Sequence, residues 1–128
     1  MSQDNNKTAS YLNVRPKVFD PESILFYIDL MDKKAIENEI AFDEAKDQVE
    51  EVLAYVVNEK MTNEKLSLGL AKVKATNDDR YKKVKQDLSN RKKLHLFSRA
   101  EAKNAHSYCD SLKQKAINEI ATEKLLKH

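Results

Sequence analysis

Lys85, Lys92, Arg99 and Lys103 recur along one edge of a helical register at spacings of 7, 7 and 4. A ladder of fixed cations at this pitch can follow a phosphate backbone, releasing condensed counterions as it binds. Lys82, Lys83, Arg91 and Lys93 flank the ladder, Arg80 opens the segment, and Lys72 and Lys74 precede it. Tyr81 lies inside the basic run, with His95 and Phe97 nearby, and an aromatic ring in such a setting can stack on an unpaired base. No base-reading motif accompanies the cations, so the binding they would support is independent of sequence. The same residues admit a second reading, a solvated face that pairs with an acidic partner within the chain.

An acidic partner is present. Residues 1–59 hold 6 Lys/Arg against 13 Asp/Glu, a net of −7, and residues 60–103 hold 13 against 5, a net of +8. Residues 104–128 add 4 against 3, so the total of +2 conceals two opposed blocks. A basic block of this size attracts phosphate or another acidic surface.

Other chemistry finds no pattern. His95, His106 and His128 lack metal-ligand spacing. Asp43/Glu44 and Glu50/Glu51 lie on a long exposed helix with no cleft to shape an acid–base pair. There is no glycine-rich phosphate loop, nucleophile elbow or zinc signature. No catalytic residue, metal ligand or cofactor is expected, and the chain reads as a binding protein rather than an enzyme. Cys109 is the single cysteine, which excludes an internal disulfide and fits a reducing compartment such as the cytoplasm. The first residues lack the basic and apolar regions of a signal peptide, and no apolar run of about 18 residues could span a membrane.

The elements that would carry the basic block are helical. One Gly, 2 Pro, no Trp, 34% charged residues and a mean hydropathy of −0.72 leave too few turn-formers for a sandwich or barrel. Residues 1–20 read as a polar, flexible arm whose Tyr11, Leu12, Val14, Val18 and Phe19 could clip onto a helix or a neighbouring subunit, and 21–128 as one helical domain. Asp20-Pro21-Glu22-Ser23 forms a helix start, with Asp20 at the N-cap and Pro21 in the first turn. From there Ile24, Ile28, Met31, Ala35, Asn38, Phe42, Ala45, Val49, Val52 and Val56 alternate spacings of 4 and 3, a heptad seam that requires a partner helix. Leu25, Ile36, Ile40, Leu53 and Val57 widen the stripe toward further neighbours. Thr62-Asn63-Glu64-Lys65 marks a turn, a short apolar and basic helix covers about Leu66–Ala75, and Thr76-Asn77-Asp78-Asp79 caps a third helix to about Leu126. In that third helix Tyr81, Val84 and Leu88 define one face. Leu94, Phe97, Ala105, Tyr108, Leu112 and Ala116 define another, which predicts a phase change across residues 89–93.

One stretch has a familiar outline. Leu70-Ala71-Lys72-Val73-Lys74-Ala75, an acidic turn, Asp79-Arg80-Tyr81-Lys82-Lys83 and a long helix with Tyr108-Cys109 together resemble the recombination mediator family of T4-like phages. The resemblance implies a helical oligomer that binds single-stranded DNA and helps load a recombinase onto strands covered by single-stranded-DNA-binding protein. It also implies that Lys72 and Lys74, spaced i, i+2 before the turn, contact the DNA.

The expectation is an all-α protein: a long antiparallel, coiled-coil-like hairpin with a short basic helix between its arms, oligomeric through the seam of the first helix. It would act as a non-enzymatic single-stranded-DNA-binding accessory protein, in host cytoplasm if phage-encoded. The competing expectation is a coiled-coil interaction, scaffolding or assembly module with no nucleic-acid role.

Overall fold

The computed structural model describes residues 14–127; the expectations placed on Tyr11, Leu12 and His128 lie outside the described residues. The chain is all-α. Helix α1 spans Pro21–Asn63, α2 Leu68–Thr76 and α3 Asp79–Leu126, and no strand occurs among the described residues. Two compact units divide them, residues 14–36 with 97–127, and residues 37–96.

The helix ends follow local chemistry. The Asp20 carbonyl accepts the Ile24 N–H, and the Asp20 carboxylate accepts the Ser23 hydroxyl. Lys65, just past α1, holds a φ of 54°, a left-handed conformation that turns the chain out of the helix. Ser67 caps α2 by accepting the Leu70 N–H at 3.4 Å. Asn77 and Thr76 return bonds to the Val73 carbonyl, closing α2. Asp78 then caps α3 through the Arg80 N–H at 2.9 Å.

In the unit of residues 14–36 and 97–127, Ile24, Tyr27 and Met31 of α1 form one core with Ala102, Ala105 and Cys109 of α3, flanked by Val14, Ile28, Ala35 and Tyr108. Asp32 meets His106 at 3.0 Å and Lys34 meets Glu101 at 3.0 Å, so numbers rise along α1 as they fall along α3. The segment before α1 is held here: Pro16 is buried, its carbonyl accepts the Tyr108 hydroxyl at 2.6 Å, and the Arg15 guanidinium lies 3.9 Å from the Tyr108 ring centre. Cys109 is buried, and that burial pushes its thiol up, away from the reactive thiolate.

In the unit of residues 37–96, Ala45, Val49 and Val56 of α1 and Ala71 and Ala75 of α2 are buried. Phe42 stacks on His95 at 5.4 Å, and Glu59 pairs with Arg80 at 2.8 Å, again pairing rising with falling numbers.

Every seam residue expected on α1 is buried or half-buried within the chain, which leaves little of that seam for a second copy. Of the residues expected to widen the stripe, Leu53 and Val57 are half-buried, whereas Leu25, Ile36 and Ile40 are exposed. The phase change in α3 is absent. Tyr81, Val84, Leu88, His95, Ser98, Ala102, Ala105, Cys109, Leu112 and Ala116 are covered in one continuous register through the helix, with Asp87, Glu101 and Tyr108 half-buried beside it. Leu94 and Phe97 stand outside it, 49% and 63% exposed. The seam of α3 is built from small side chains, which allow close approach but carry little hydropathy, so the larger outward residues drew the sequence reading away.

Val56 is wholly enclosed. Val56→Ala should cost about 1.5–3 kcal/mol in urea unfolding, from lost burial plus the residual cavity. Ile40→Ala, on the exposed side, should stay within about 0.5 kcal/mol.

Candidate nucleic-acid interface

The basic residues of the unit 37–96 fall into two groups. The first surrounds the short helix. Lys74 lies 3.5 Å from Glu64, Glu64 lies 3.6 Å from Lys60, Lys60 lies 3.9 Å from Asp78, and Arg80 bridges Asp78 at 3.0 Å and Glu59 at 2.8 Å. Three cations and three carboxylates alternate, linking the end of α1, the end of α2 and the cap of α3. Arg80 is the hub. Its guanidinium contacts both Asp78 oxygens while its backbone N–H reaches the same side chain, and a planar fork suits such bidentate pairing.

This clasp changes the titration of its members. Arg80, bonding through its side chain and then its backbone, holds the Asp78 carboxyl down at about 2 from an ordinary 3.8. The Arg80 side chain also lowers Glu59, and the two carboxylates together raise Arg80.

The second group lies on α3. Lys82, Lys83, Lys85, Lys92 and Lys93 are exposed, and none has an ion-pair partner among the described residues. Lys85 stands 6.0 Å from the Tyr81 ring centre, and Tyr81 itself is half-buried in the seam. Arg91 pairs with Asp87 at 3.7 Å. Lys72 is exposed on α2. Arg99 and Lys103 belong to the other unit, where both are exposed.

The fold therefore gathers Lys82, Lys83, Lys85, Lys92 and Lys93 as unpaired charge on one helix and ties Lys74, Arg80 and Arg91 to carboxylates. No family model, curated protein or solved structure matches the chain. Among the described residues no cluster of His, Cys, Asp or Glu could hold a metal ion, and no helix is long and apolar enough to cross a membrane.

Sequence reading missed the clasp and one aromatic. Glu59, Lys60, Glu64 and Asp78 look like ordinary surface charge in one dimension. Tyr55 is 64% exposed in a groove of about 750 Å³ with Val52, Val84, Arg80 and Lys83. Placing α1 and α3 in register was the signal that would have found both, because Tyr55 and Glu59 then stand opposite Arg80.

A carboxylate held down in the folded state adds stability that is complete above its unfolded value and vanishes as the pH falls through its folded value. Thermal midpoints should therefore drop between about pH 4 and about pH 2. Arg80→Gln should be less stable than the parent at pH 5, with the gap closing as acid protonates Asp78. Carboxyl NMR should report the Asp78 midpoint near 2 in the parent and near the ordinary value in the variant.

Proposed function

We propose that this protein is a non-enzymatic binder of single-stranded DNA that contacts the phosphate backbone through the outward cations of α3. The observation that carries the reading is the run Lys82, Lys83, Lys85, Lys92 and Lys93: five exposed cations within twelve residues of one helix, without carboxylate partners among the described residues. Charge of this kind is stabilised by a polyanion that supplies the missing counter-charge. The contacts carry no base information, so binding extends over mixed sequences.

The resemblance to phage recombination mediators gives this binding a setting: an accessory protein of recombination or replication, in the host cytoplasm, that acts beside a recombinase and a single-stranded-DNA-binding protein. Lys72 and Lys74 would contact DNA in that setting. The pairing of Lys74 with Glu64 makes Lys72 and the α3 lysines the stronger contributors.

A second reading, a helical interaction or assembly module, is favoured by one observation. Leu68, Leu70 and Val73 of α2 are 50%, 58% and 61% exposed. Apolar residues open to this extent on a short helix suit a protein partner or a second copy.

Fluorescence anisotropy with a labelled mixed-sequence oligonucleotide separates the readings. The single strand should bind more tightly than a duplex, with log K falling against log salt by about 0.7 per phosphate contact. Replacing Lys82, Lys83 and Lys85 with Gln should shallow that slope by about 2, whereas Arg80→Gln should leave it unchanged. Replacing Lys72 and Lys74 with Ala should weaken binding; unaltered affinity and slope would remove both from the site. Absence of binding at low salt would reassign the α3 cations to a protein surface.

A further inference from the structure

The groove beside Tyr55 has features that phosphate binding does not use. It measures about 750 Å³, within the range of about 300–1,000 Å³ usual for ligand clefts. Half-buried Val52 and Val84 supply its apolar surface, and Tyr55 lies along it with most of its ring open to solvent. Arg80, fixed by Glu59 and Asp78, sets its guanidinium 5.8 Å from the Tyr55 ring centre. Lys83, exposed and unpaired among the described residues, stands at the rim. Two carboxylates share the lining, Glu51 of α1 and Asp87 of α3, and Asp87 bonds to Arg91 outside it.

These residues suit one component of a nucleotide much better than another. Glu51 and Asp87 oppose a further anion inside the groove, which keeps phosphate at the Lys83 rim. An uncharged, flat, aromatic group is not opposed, and the open Tyr55 ring offers it a stacking surface. A clamped guanidinium adds a further polarised plane beside that ring.

We infer that the Tyr55 groove receives an unpaired base of the single strand, stacked on the Tyr55 ring with the adjoining phosphate on Lys83. The inference rests on the single-strand reading above and deepens it. Phosphate contacts alone do not distinguish a single strand from a duplex, whereas a stacking site requires a base out of its pair. Tyr55 thereby supplies the preference, and the lysines supply the affinity and its salt dependence.

The test compares an intact single strand with an abasic strand of equal length and charge, by anisotropy, on the full chain and on Tyr55→Ala and Tyr55→Phe. The parent should favour the intact strand. Tyr55→Ala should lose about tenfold on the intact strand and nothing on the abasic one, with an unchanged salt slope, and Tyr55→Phe should keep the parent's preference. Tyr55 is mainly exposed, so Tyr55→Ala should retain the parent's helical circular dichroism, which is measured alongside. Equal loss on both strands, or no loss on either, would overturn the inference. Equal, salt-sensitive binding of the two strands by the parent would also overturn it while leaving the phosphate reading in place. Absence of parent binding to either strand would overturn both.

Discussion

Helix α1 carries a continuous apolar seam, and burying that seam is the constraint from which the other features follow. In the unit of residues 14–36 and 97–127 the seam is covered by Ala102, Ala105 and Cys109; in the unit of residues 37–96 Val56 is enclosed completely. Small side chains let two backbones approach closely, so dispersion contacts replace the bulk that a larger core would provide. The arrangement sets Ile24, Val49 and Val56 of α1 in the seam and leaves larger residues of α3, such as Leu94 and Phe97, on the outside.

Register at the seam then decides which charges meet. In the unit of residues 37–96, Glu59 comes opposite Arg80, and the turn through α2 brings Glu64, Lys74, Lys60 and Asp78 into the same chain of contacts. The basic block and the acidic block therefore do neutralise each other, but only where the seam and the turn put them together. Beyond the clasp, Lys82, Lys83 and Lys85 form no ion pair among the described residues and keep their charge for another partner. Exposed pairs such as Lys33–Asp29 and Lys46–Asp43 add little to stability beside this. The division matters because a cation held by two carboxylates must lose them before it can bind phosphate, whereas an unpaired lysine has only water and salt to displace.

The three helices were legible in the sequence because their signals are local. Asp20 opens α1 with its carboxylate on the Ser23 hydroxyl, Asp78 caps α3 through its own side chain, and the 4–3 alternation on α1 admits only one buried face. The α3 seam was misread because Ser98 and Ala102 are buried by the approach of another helix, which no hydropathy pattern encodes. Lys82, Lys83, Lys85, Lys92 and Lys93 were correctly read as exposed, since nothing apolar recurs at their positions. The commitment of Arg80 and Lys74 to carboxylates was not legible. Their partners lie up to 21 positions away, and only the turn through α2 brings them near. Tyr55 was overlooked for the same reason, its importance depending on what α3 places beside it.

The sorting of cations into clasped and unpaired sets can be read in one footprinting measurement. Lysine acetylation, quantified residue by residue by mass spectrometry with and without a single-stranded oligonucleotide at low salt, reports which ammonium groups the strand covers. Lys82, Lys83, Lys85, Lys92 and Lys93 should be protected, while Lys60 in the clasp and Lys34 beside Glu101 should react alike in both conditions. Protection of Lys60 and Lys34 with the α3 lysines unchanged would contradict the division, and would place the bound strand on a surface other than the outward face of α3.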